Sequence, residues 1–185
     1  MYLSKRTYVK NWEHMKPSEL HEITVKQGNL VRKDIRPERI SNIVEEIMYW
    51  RKANAIHAWF VKNVQDGEDD CGDYYVSTEK LTELRDLCVK VVKASELVAG
   101  KTKNGRSYDA QHPKGIDGVE EGKVIKDPTV ARELLPPQEG FFFGNTDFDE
   151  WYFEDIERTA DELTKVLAEP EGKGYGGSFY YHSSW

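Results

Sequence analysis

The sequence predicts an α+β fold: a small antiparallel sheet packed against one long helix and two or three shorter ones. Three observations carry this. Residues 37–65 keep a stripe at helical spacing, Ile43, Ile47, Trp50, Asn54, His57, Val61 and Val64. Residues 78–94 and 149–167 repeat that spacing. Three short runs, 21–35, 140–144 and 178–182, alternate or stay apolar between turn residues and read as strands. At 185 residues, 38% hydrophobic and 32% charged, the chain reads as a single domain, 1–185, able to bury a core.

The elements follow in order. Residues 1–19 are polar with interleaved aromatics and are expected across the domain surface. His21 to Ile35 form a hairpin around Gln27-Gly28-Asn29. Pro37 then opens the long helix at its first position, with Glu38 at the positive helix end, and Asp66-Gly67 closes it near Gln65. Tyr74 to Val76 is a short extended piece before Ser77, an N-cap for a helix with Leu81, Leu84, Leu87, Cys88 and Val91 on one face. Residues 97–124 hold glycines and few apolar residues without periodicity, and read as a flexible insertion. Asp127-Pro128 opens a short helix that Pro136-Pro137 ends. Gly140 to Gly144 is a glycine-bounded buried strand. A helix with Tyr152, Ile156, Ala160, Leu163 and Val166 inward follows the 145–149 turn, and Ser178 to His182 is the last strand.

Composition excludes several classes. A net charge of −7 argues against nucleic acid and anionic membrane as partners. No window approaches the ~20 apolar residues of a membrane span. Two cysteines, Cys71 and Cys88, without a secretory signal point to a reducing cytoplasm. Those cysteines and five scattered histidines lack zinc spacing. The acidic loop 66–73 and the turn 145–149 miss the glycine and glutamate of a calcium loop. Cys71 and His57 lie roughly 20 Å apart at the helical rise per residue, too far for a nucleophile and base. No glycine motif cradles a phosphate. No metal, cofactor or catalytic residue is expected.

Asn54 and His57 stand where a plain core helix carries leucine or valine. A buried polar group is costly unless partnered, so they either tie the helix into the core or line a pocket with Trp50 and Arg51. Phe148, Trp151 and Tyr152 give the same choice between a core seam and an aromatic wall for a planar ligand. The expected ligand site is therefore Trp50, Arg51, Asn54, His57, Phe148, Trp151 and Tyr152.

The runs ERISNIVEEIMYWRKANAIHAWFVKNVQDGEDDCGDYYVS, ELLPPQEGFFFGNTDFDEWYFEDIERT and FYYHSSW resemble a family of small proteins carried by many tailed bacteriophages. The resemblance spans most of the chain except about residues 95–123. It implies an accessory protein working in the cytoplasm of the bacterial host, and it carries no catalytic residue with it. The leading expectation is a non-catalytic protein that binds and sequesters a nucleotide-like immune signal. One alternative is an inhibitor that binds a host defence enzyme through acidic surface and aromatics. Another is a hydrolase of such a signal, with Asp69, Asp70, Asp147 and Asp149 holding a metal. The amount of aromatic surface also points to a homo-oligomer.

Overall fold

The computed structural model describes residues 1–9, 14, 24–108, 110–113, 115–139, 145–169 and 177–184, with the backbone only at 38 and 106. It is an α+β arrangement. A four-stranded antiparallel sheet runs in the order β4 (Asn42–Tyr49), β1 (Tyr2–Tyr8), β8 (Ser178–His182), β5 (Asp73–Val76). Helices α1 (Asn54–Asn63), α2 (Thr78–Ala94) and α4 (Glu150–Leu167) share one core with it. A short helix α3 (Thr129–Leu134) precedes α4 in sequence.

The first correction concerns the long helix. Residues 37–65 are a 3-10 turn at Pro37–Arg39, then strand β4, then the much shorter α1. Glutamates 45 and 46 favour a helix in isolation, but Ile43, Val44, Ile47 and Tyr49 fit a pleated surface. Tertiary pairing with β1 decides between them, since Tyr2↔Tyr49 through Tyr8↔Asn42 form a ladder. The chain leaves β4 through Lys52, whose φ of 63° lies in the left-handed region, and enters α1 two residues later. The predicted stripe therefore belongs to two elements: Ile43 and Ile47 to the strand, Asn54, His57 and Val61 to the helix.

The N-terminal segment is likewise not a surface strap. Tyr2–Tyr8 is an interior strand between β4 and β8, with Leu3 fully buried. The predicted 21–35 hairpin reduces to β2 (Lys26–Gln27) and β3 (Leu30–Val31) around Gly28, and this ribbon stays separate from the main sheet. Residues 21–23 and the predicted strand 140–144 lie outside the described residues.

The stretch 97–124 is not irregular. It forms a two-stranded ribbon, β6 (Leu97–Ser107) paired with β7 (Ile116–Ile125). Its glycines serve the pairing: a Cβ on Gly118 would lie 2.4 Å from the Asn104 carbonyl oxygen. The ribbon is joined to α4 by a bridge between Val124 and Asp149.

The remaining elements follow the sequence reading. Ser77 Oγ accepts from Lys80 N at 3.3 Å and caps α2, which buries Leu81, Leu84, Cys88 and Val91 against α4. Asp149 Oδ1 accepts from Tyr152 N at 3.0 Å and caps α4, which buries Tyr152, Ile156, Ala160, Leu163 and Val166. No described helix is long and apolar enough to cross a membrane.

Leu84 is fully buried at the α2 position facing this core, whereas Val119 on β7 is 61% exposed. Leu84→Ala is expected to cost about 2–5 kcal/mol in a urea titration, and Val119→Ala to stay within about 0.5 kcal/mol of the parent.

Candidate functional site

The end of β4 with the N-terminal turn of α1, the 145–149 turn, one face of α4, and the β6 segment around Lys103 come together. Between them lies a cleft of about 810 Å³, within the usual size range of small-molecule sites.

Asn145 holds its walls together. Its backbone carbonyl accepts from Asn54 Nδ2 at 2.9 Å, so it binds α1. Its own Nδ2 donates to the Lys103 carbonyl of β6 at 2.9 Å and to Asp149 Oδ2 at 3.0 Å. Its Oδ1 accepts from Asp147 N at 2.9 Å. One side chain and its carbonyl thus connect α1, the ribbon and the α4 cap. Asparagine suits this because it offers donor and acceptor on one planar group. The sequence marked Asn145 only as a turn residue, because its partners are 42 and 91 positions away.

The α1 end of the cleft is electropositive. The cap residue, Ala53, provides no side-chain acceptor. Asn54 N donates to Lys52 O and His57 N to Ala53 O, while the amides of Ala55 and Ile56 take no acceptor among the described residues. Arg51 and Lys52 line the same end and form no ion pair among the described residues. The other cations are committed: Lys103 to Asp147 at 3.3 Å, Arg158 to Asp155 at 3.1 Å, Lys165 to Glu162 at 2.5 Å. Uncapped amides, the helix dipole and two cations make this end suited to an anionic group.

The α4 wall presents Trp151, 60% exposed, and Asp155 one turn later. Burial pushes the Asp155 carboxyl up to about 6, against the opposing pull of the Arg158 guanidinium. The sequence carried a signal for Asp155 that went unused. At 152+3 and 159−4 it borders the buried stripe of α4, where a carboxylate loses part of its hydration.

The predicted residues divide into two groups. Arg51, Asn54, Trp151 and Tyr152 line the cleft. Trp50, His57 and Phe148 do not. Trp50 is fully buried, with Nε1 donating to Thr159 Oγ1 at 2.8 Å, and Thr159 in turn donates to the Asp155 carbonyl at 2.6 Å. His57 is fully buried between Asp69 Oδ1, 3.0 Å from Nε2, and the Tyr181 hydroxyl, 2.6 Å from Nδ1. A carboxylate can only accept, so Nε2 carries the hydrogen and Nδ1 accepts from Tyr181. Burial, then the nearby Asp69 charge, raises the Tyr181 hydroxyl above its ordinary value and keeps it a donor. Phe148 is half-buried, its ring 5.0 Å from that of Tyr152, whose hydroxyl donates to Leu135 O at 2.8 Å.

The four carboxylates considered for a metal have other partners. Asp69 holds His57, Asp70 accepts from Gly72 N at 2.7 Å, Asp147 pairs with Lys103, and Asp149 caps α4. Among the described residues no three His, Cys, Asp or Glu side chains group closely enough to hold a metal ion. Cys88 is buried, which raises its thiol, and Cys71 is exposed. Compared with known protein families, with curated proteins and with solved structures, the chain matches none.

Two measurements test this geometry. His57→Phe strands the Tyr181 hydroxyl and the Asp69 carboxylate, and is expected to cost about 2–4 kcal/mol in a urea titration. Adding Tyr181→Phe removes one stranded group and should recover part of that loss. Asp155 binds its proton more tightly folded than unfolded, so its ionisation lowers stability progressively from its ordinary value of 3.8 up to about 6, and in full above that. Asp155→Asn should therefore be more stable than the parent at pH 7.5 by about 1–2 kcal/mol, with the gap closing as pH falls toward 4.

Proposed function

We propose that this is a non-catalytic binding protein whose cleft takes a phosphate-bearing, nucleotide-like ligand. The carrying observation is the α1 N-terminus. It opens on the cleft with the Ala55 and Ile56 amides unpaired among the described residues, between Arg51 and Lys52. A phosphate satisfies both the amides and the two side-chain charges. Trp151, mostly exposed on the opposite wall, offers a surface on which a base stacks. The strained Lys52 backbone supports the same reading, since a left-handed non-glycine residue persists where the surroundings enforce it.

Binding without turnover is favoured by the lining. Among the described residues no serine, threonine, cysteine or histidine borders the cleft, so its described lining holds no hydroxyl or thiol nucleophile paired with an imidazole base. In the setting that the bacteriophage resemblance implies, the protein would sequester a nucleotide-type immune signal in the host cytoplasm.

Calorimetric titration with cyclic dinucleotides and ADP-ribose derivatives tests this. At least one is expected to bind with its concentration unchanged after long incubation. Trp151→Ala should weaken it by about tenfold or more, the loss of one stacked base, and Arg51→Ala should weaken phosphate-bearing ligands but not the matching nucleosides. No heat from any of these compounds, together with no small molecule retained in native mass spectrometry of protein from infected cells, overturns the proposal. The same spectra count the subunits.

A further inference from the structure

The face of the sheet turned away from the helices gathers aromatic residues that are far apart in sequence. Strand register places Tyr49, Tyr2, His182 and Asp73 in one row across β4, β1, β8 and β5. The next row is Glu46, Ser4, Tyr180 and Tyr75. The rings meet across neighbouring strands. Tyr2 lies 5.0 Å from Tyr49 and 6.2 Å from His182, and Tyr75 lies 6.1 Å from Tyr180, centroid to centroid. The alternate residues Leu3, Met48, Phe179 and Tyr181 are buried in the core, while Tyr75 stays 60% exposed. With Tyr49 and Tyr75 exposed and Tyr2 and Tyr180 half-buried beside them, the face supplies rigid, amphipathic contact area of the kind protein-recognition surfaces use.

Beside this face lies a sheet edge. Strand β4 is the outermost strand and pairs only with β1 among the described residues. Asn42 to Glu46 are exposed throughout, including the apolar Val44. An edge of this kind is a template for strand addition. Its charge selects the occupant. Glu45 and Glu46 form no ion pair among the described residues, and the chain carries a net charge of −7. Arg6, on the same face, pairs with Asp73 and lies 4.2 Å over the Tyr180 ring. This internal contact shows how a guanidinium sits on these tyrosines.

We propose that this face and edge dock an extended, basic segment of a partner protein, added as a strand beside β4 with its arginine or lysine side chains over Tyr49 and Tyr2 and against Glu46. A second copy of the chain fits poorly, because two β4 edges would bring four glutamates onto one seam. Single-stranded nucleic acid fits poorly too, because among the described residues the arginine that the sheet rows place on this face, Arg6, is already paired with Asp73.

The test uses the full chain and two synthetic probes of about eight residues, a strand's length. One alternates valine with arginine, the other valine with glutamate. Fluorescence anisotropy measures affinity, and backbone amide exchange reports the contact. The basic probe is expected to bind about tenfold or more tighter than the acidic one and to slow exchange at residues 42–46. Glu46→Lys should remove that preference while leaving the thermal melting temperature unchanged, since residue 46 is exposed. The proposal is overturned by equal or absent binding of the two probes, or by protection that avoids β4. It is also overturned by a dimer that protects residues 42–46 without any probe, or by a single-stranded oligonucleotide that binds the face more tightly than the basic probe.

Discussion

The contact on which the architecture depends is the one between Phe60 of α1 and Tyr181 of β8. Their rings stack at 4.0 Å, within 9° of parallel, and Trp50 packs edge-on to Phe60 at 5.9 Å. Burying three large rings supplies a major part of the apolar driving force in this region. The stack also fixes geometry. With Phe60 seated on Tyr181, the Tyr181 hydroxyl reaches His57 Nδ1, and His57 reaches Asp69 in the loop after α1. A single apolar contact is thereby locked by a polar chain that satisfies every member. Because β8 lies between β1 and β5, orienting α1 on β8 orients it on the whole sheet.

The cleft is a consequence of that placement. Strand β4 ends at Tyr49, the buried Trp50 anchors the chain to Thr159 of α4, and the next residues, Arg51 and Lys52, are turned outward. The α1 N-terminus is therefore left open beside α4 instead of being covered. Asn145 closes the arrangement from the other side by tying α1 to the β6 ribbon and to the α4 cap. Positive potential gathers at one end of the cleft and carboxylates along the α4 wall. A ligand with an anionic group and a polar planar ring matches both ends.

The proposed ligand site and the proposed docking face meet at Tyr49. It lines the cleft and also stacks against Tyr2 on the open side of the sheet. The left-handed turn at Lys52 follows three residues later.

Much of the architecture was legible in the sequence because it depends on local chemistry. Ser77 and Asp149 accept amide hydrogens within three residues, and the α2 and α4 stripes bury along a single helix face. The α+β class and the last strand followed from such patterns, and four of the residues singled out, Arg51, Asn54, Trp151 and Tyr152, line one cleft. Other features were decided by residues distant in the chain. Residues 42–49 have helical and extended options of similar local cost, and only the ladder with Tyr2–Tyr8 selects the strand. Polarity alone made His57 and Asn54 equivalent. Tertiary structure separated them, sealing His57 between Tyr181 and Asp69 and leaving Asn54 at the cleft wall. Asn145 and the rows of tyrosines were invisible for the same reason: hydrogen-bond partners and strand register are properties of a folded surface, and no window of sequence contains them.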